Sequence, residues 1–126
     1  MGAFEESDGE LLPRLGDNFE STRGGVYTLR EGDEEGNVVR TGRSNDLARR
    51  RAEHGRDSIL GQYFFNPEAR TNDIFEQRGL EQELYDQNPS AQSGNDGYNK
   101  IRPISSQNPR YDDYMRAAAR YRACAE

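Results

Sequence analysis

Strand-like and helix-like patterns alternate along the chain, separated by polar turns that carry glycine. Val26-Tyr27-Thr28-Leu29-Arg30-Glu31 has β-branched and aromatic strand character, and the run from Gly32 to Asn37 is rich in glycine and acids. Val38-Val39-Arg40-Thr41 resumes the strand pattern, so the segment predicts a β-hairpin. Past Gly42, Ser44 or Asn45 can cap a helix over about 46–53, with Gly55 as its C-terminal stop. On that helix Leu47, Arg50, Arg51 and His54 follow the i, i+3, i+4, i+7 spacing and share a face, while Arg49 and Glu53 point elsewhere. Gln62-Tyr63-Phe64-Phe65 reads as a third strand stopped by Asn66-Pro67. Asp73 to Glu76 offers a capping box for a second helix reaching about Asp86, with Ile74, Arg78, Glu81 and Tyr85 along one stripe. Asn88 to Tyr98, with Pro89, Gly94 and Gly97, is a loop. A last helix from about Tyr111 places Tyr114, Met115, Ala118 and Tyr121 or Arg122 on one face. The expected fold is a small α/β (α+β) domain. A short, mostly antiparallel three-stranded sheet is flanked by helices near 46–54, 73–86 and 111–124, with the functional face on the sheet.

Composition narrows this picture. A chain of 126 residues fits one domain with a modest core. Hydrophobic and charged residues each make up 32%, a balance that leans toward disorder, but seven Tyr and five Phe supply bulky core material. Residues 1–22 are acidic and aperiodic and read as a linker or arm, which leaves 23–126 as the folded domain. No apolar run approaches a membrane span, and the acidic N-terminal stretch lacks the basic and apolar regions of a signal peptide.

Cys124 and His54 are the single cysteine and single histidine, which removes disulfide frameworks and Cys/His zinc sites. Carboxylates are then the expected ligands for any ion, and a hard cation such as Mg²⁺ the expected ion. The net charge of −6 is unfavourable for binding a phosphate backbone. Its distribution changes that reading: residues 1–36 hold ten acids against Arg14, Arg23 and Arg30, whereas residues 40–56 hold six arginines against Asp46 and Glu53. Lys100 is the only lysine, and the planar guanidinium suits bidentate phosphate contacts.

The hairpin and its helix resemble the GIY-YIG nuclease superfamily. Gly25-Val26-Tyr27 stands where that family has its first tripeptide and Arg40-Thr41-Gly42 where it has its second. Arg43-Ser44-Asn45-Asp46-Leu47 looks like the family's turn into the helix, with Arg50 eight residues after Gly42 and His54 four residues after Arg50. Glu81 with Leu84 and Tyr85 is similar to the family's acid and its following apolar pair, and Tyr98-Asn99 to its closing asparagine. The departure lies at Arg40, where the family commonly has a second tyrosine. The run from Arg78-Gly79-Leu80-Glu81-Gln82 through Asn99-Lys100-Ile101-Arg102-Pro103-Ile104 to Asn108-Pro109 and Tyr114 further resembles the toxin modules of that superfamily. Those modules sit at the C-termini of large secreted bacterial proteins, Rhs-type effectors among them.

The resemblance implies a metal-dependent endonuclease that hydrolyses DNA and serves as an interbacterial toxin. It would be delivered by an N-terminal carrier or secretion protein into the cytoplasm of a target bacterium and held in check by a cognate immunity protein. The expected roles follow from the needs of phosphodiester hydrolysis: a nucleophilic water, a cation at the attacked phosphate and a stabilised leaving oxygen. Tyr27 is the candidate base, provided nearby cations depress a phenol whose ordinary pKa is about 10. Glu81 holds Mg²⁺ (or Mn²⁺), Arg50 grips the scissile phosphate, and His54 bonds the phosphate or relays a proton. Asn99 orients a neighbouring group, and Arg40 contributes charge. Arg43, Arg49, Arg51 and Lys100 are the expected phosphate or DNA contacts. Two alternatives stay open: an RNA-cleaving toxin of the same fold, and a binding module without catalysis.

Overall fold

The computed structural model describes residues 22–95 and 97–125. The expected acidic arm therefore lies outside the described residues, apart from Thr22. Three strands, β1 (Gly25–Arg30), β2 (Val38–Ser44) and β3 (Phe64–Arg70), form one antiparallel sheet in the order β2-β1-β3. Three helices accompany it, α1 (Leu47–Arg56), α2 (Ile74–Gln87) and α3 (Tyr111–Ala125). This is the α+β architecture that the alternation of periods predicts. None of the helices is long and apolar enough to cross a membrane, among the described residues.

Because side chains alternate along a strand, β1 serves two cores. Tyr27 and Leu29 pack with Val39, Phe65 and Leu47, so α1 covers that face. Val26 faces Leu80 of α2 and Ala118 of α3 on the other side. α3 docks mainly on α2, and it comes close because Gly79 has no side chain. A Cβ there would run into the Tyr114 carbonyl oxygen and lie 2.9 Å from Ala118 Cβ.

Several local expectations change. The α1 cap is Asp46, which accepts from Arg49 N–H at 3.1 Å, while Ser44 Oγ instead accepts from Asp46 N–H at 2.9 Å. Gly55 lies within the helix and does not stop it: α1 runs to Arg56, and Asp57 is the C-cap. Pro67 does not end the third strand. It sits in β3 opposite Tyr27, next to a register shift between Val26 and Tyr27. β3 is an edge strand, where a residue lacking N–H is tolerated. The capping box on α2 is only half formed: Asp73 accepts from Glu76 N–H at 3.0 Å, but the Glu76 carboxylate takes the Thr71 hydroxyl at 2.5 Å.

The α2 stripe also divides. Arg78 and Glu81 line a cleft, Ile74 is 42% exposed, and the buried face is Gln77, Leu80 and Gln82. Both glutamines are fully buried and bonded: Gln77 donates to the Thr71 carbonyl at 2.8 Å, and Gln82 accepts from Ile104 N–H at 3.0 Å.

Two helical glycines make opposite predictions. Gly55→Ala meets nothing within 4 Å and should stabilise the fold by about 0.4–1 kcal/mol, by restricting the unfolded chain. Gly79→Ala gains about 1 kcal/mol of helix propensity, but overpacking against a backbone carbonyl costs about 1–3 kcal/mol and prevails. Urea unfolding midpoints should move up for the first and down for the second. A rise for both would mean that α3 is not held against α2 at Gly79.

Candidate active site

A cleft of about 650 Å³ runs along the outer edge of β2 rather than across the face of the sheet. Its position follows from strand order, since side chains from both faces of an edge strand can reach around it. Arg40 shares the Tyr27 face and Arg43 the Val26 face, yet both line the same cleft. α1 contributes Arg49 and Arg50, α2 contributes Arg78 and Glu81, and the segment after Tyr98 contributes Asn99, Lys100 and Arg102. Seven cationic side chains thus surround a single carboxylate.

The wall opposite β2 is fastened to it. Tyr98 N–H donates to the Val39 carbonyl at 2.8 Å, and Ser90 Oγ donates to the Val38 carbonyl at 2.7 Å. Asn99 accepts from Thr41 N–H at 3.1 Å and donates to Thr41 Oγ1 at 2.6 Å. Both ends of the Asn99 amide are committed to Thr41, so Asn99 positions β2 against the loop. These bonds also cover backbone groups that an edge strand would leave open.

Glu81 is held by its surroundings in a less acidic state. Burial pushes its carboxyl above the ordinary 4.5, although Arg43, Arg78, Arg40 and Arg50 all pull it down. Its nearest cation is Arg43, Nε to Oε1 at 3.7 Å, a long ion pair. Glu83, two residues on, faces α3 and pairs with Arg122, Nε to Oε1 at 3.1 Å.

Tyr27 and His54 lie beneath the cleft and do not line it. The Tyr27 ring crosses Gly42 so closely that a Cβ there would be 2.5 Å from the hydroxyl. That hydroxyl is 2.8 Å from His54 Nε2. Burial raises the phenol above its ordinary 10.0 despite the charges of Arg40 and Arg50 and a hydrogen bond from Arg50. The expectation that cations depress it therefore fails in balance, because desolvation is the larger effect. His54 is shifted the other way, below 6.5, first by burial and then by Arg40 and Arg50, with Asp57 and Glu53 opposing. Near neutral pH the pair is an uncharged phenol against an uncharged imidazole. Arg51 is set apart: it lines a separate small pocket with His54, Leu60 and Phe65.

Of the residues singled out in the sequence, Arg40, Arg43, Arg49, Arg50, Glu81, Asn99 and Lys100 converge on the cleft. Tyr27 and His54 form the layer below, and Arg51 lies elsewhere. Arg78 and Arg102 also line the cleft without having been assigned a role. The signal for Arg78 was available, since it precedes Glu81 by one helical turn and shares its face.

A divalent cation fits this donor set only through Glu81. Among the described residues no three His, Cys, Asp or Glu side chains gather as a ligand group. Glu81 is the one hard oxygen anion in the cleft, and Mg²⁺ retains several waters when held by one or two carboxylates. Comparisons with protein-family models, curated proteins and solved structures returned no match.

The His54 shift carries a stability consequence. Its folded pKa lies below 6.5, so as pH falls the unfolded chain takes up this proton first. The fold loses stability from that value downward, until the folded imidazole also protonates. NMR titration should place His54 below 6.5. His54→Gln should flatten the difference in unfolding free energy between pH 7 and pH 5, and an unchanged slope would assign the acid sensitivity to other groups.

Proposed function

We propose that this domain is a metal-dependent endonuclease that hydrolyses DNA phosphodiester bonds. The observation that carries the reading is that the half-buried Glu81 is the one carboxylate lining the cleft, set among cations on a sheet edge. Arg50 there lines the cleft, and its positive charge acts on the Tyr27 hydroxyl below. A structural ion-pair network would balance its charges, whereas this cleft has a large positive excess suited to a phosphate backbone.

Roles follow from position. Arg50 and Arg40 neutralise the attacked phosphate, and Arg43, Arg49 and Lys100 take flanking phosphates. Glu81 would hold the Mg²⁺ or Mn²⁺ ion, which when bound supplies Lewis-acid stabilisation of the developing charge. Tyr27 lies beneath the cleft, so a shift of Arg50 that opens the cleft floor would bring the attacking water to its hydroxyl. Tyr27 would then receive a proton from that water while passing its own to His54 Nε2, with His54 as the Nδ1–H tautomer. A phenol that hands its proton on in this way never has to persist as a buried phenolate. That matters here because burial disfavours the charged form. His54 acts through Tyr27 and not on the phosphate.

The resemblance to toxin modules extends the proposal. The domain would be the cytoplasm-acting warhead of a larger secreted bacterial effector, neutralised by an immunity protein.

Purified domain incubated with plasmid and Mg²⁺ should nick and linearise it, and chelator should stop the reaction. Glu81→Ala and Arg50→Ala should each lower the rate by about 10²–10³. Intact plasmid with the wild-type protein would sink the nuclease reading, whereas cleavage surviving both substitutions would relocate the site. Expressed inside a bacterium, the wild-type domain should halt growth and Glu81→Ala should not. Equal growth arrest by both would separate toxicity from this site.

A further inference from the structure

The charge imbalance in the cleft bears on the order in which its ligands bind. Arg40 takes part in no ion pair among the described residues, and its Nε is buried without a hydrogen-bond partner. Arg50 Nε is likewise buried and unsatisfied. It lies 3.1 Å from Glu53 Oε1, but the contact lacks the angle of a hydrogen bond. Buried donors left unmade are costly, and guanidinium donors are best satisfied by oxyanions. The two side chains that carry these donors, from β2 and α1, line one cleft.

A divalent cation approaching Glu81 in the free protein meets the opposite situation. Arg43, Arg78, Arg40 and Arg50 already act on the carboxylate, and each repels a second cation. A seated phosphodiester changes both terms. Its charge offsets the arginines, and its oxygens add hard ligands beside the carboxylate.

Resting on the nuclease reading above, we propose that the Arg40 and Arg50 pair seats a phosphodiester anion without help from a metal. The divalent cation then joins Glu81 only once that anion is in place. Arg40 thereby acquires a specific task at the position where the resembling family commonly has a tyrosine: it is half of a metal-independent anion seat.

The test separates the two ligands. Fluorescence anisotropy of a labelled phosphorothioate DNA duplex in chelator should show binding by the wild-type domain. Arg40→Gln keeps the aliphatic stem, and with an unchanged thermal midpoint it should weaken that binding about tenfold, the equivalent of one charged hydrogen bond. Mn²⁺ uptake, followed by loss of the free-ion electron paramagnetic resonance signal, is then compared between wild type and Glu81→Gln, with and without duplex. The difference between them isolates uptake at Glu81 and should be at least about tenfold tighter when duplex is present, matching a coupling of the usual size.

Equal Glu81-dependent uptake without duplex, or duplex binding that requires Mn²⁺, would overturn the binding order while leaving the nuclease reading intact. Wild-type affinity in Arg40→Gln would overturn the anion seat. No Glu81-dependent uptake in either condition would overturn this inference and the metal-dependent reading together.

Discussion

The Tyr27 hydroxyl sits 2.8 Å from His54 Nε2, and both side chains are buried, so neither atom has ready recourse to water. Without Tyr27 the buried His54 Nε2 would lose its hydrogen-bond partner, which makes the pair a constraint on the distance and rotation of α1 relative to β1. Leu47, packed against the same ring cluster, fixes the first turn of the helix as His54 fixes the last. With both ends set, Arg50 between them has only one place to go: the rim of the β2 edge. Gly42 completes the constraint, because any larger residue would occupy the volume through which the Tyr27 ring passes.

Placing the cleft on a strand edge rather than on a sheet face has electrostatic consequences. Arginines from both faces of β2 and from two helices face one small volume; Glu81 is the one carboxylate lining it, and Glu53 pairs with Arg49 and Arg50 from outside. Burial and positive charge act on that carboxylate in opposite directions, with burial prevailing, and on His54 in the same direction. The result is a site poised for an anion in a chain whose net charge is −6. Local concentration of charge, rather than the overall sum, decides what such a surface attracts. The loop carrying Asn99, clamped to Thr41 and held further along by the Gln82 bond to Ile104, keeps the far wall in place.

Much of the fold was legible from local pattern. The hairpin, the three helices and the Asp73 cap rest on backbone preferences and side-chain periods that act within a few residues. The face shared by Leu47, Arg50 and His54 was fixed by helix geometry alone. Where neighbours compete for the same local signal, the reading failed. Ser44, Asn45 and Asp46 are all able to cap, and Asp46 prevailed because Ser44 was already engaged with its backbone. Pro67 was read as a stop, since nothing in its vicinity discloses that β3 lies at an edge with a register shift.

By itself, then, the sequence determined which segments are strands or helices and which residues share a helical face, because a dihedral angle and a period are local properties. Only the tertiary structure decided that Arg40, Arg43, Arg50, Arg78 and Glu81 meet in one volume, since that depends on strand order and on the packing of α2 against β2. It also decided that Tyr27 and His54 are paired beneath the cleft and that Arg51 lies away from it. Their protonation went with that placement, because desolvation is set by what surrounds a group in space and not by its neighbours along the chain.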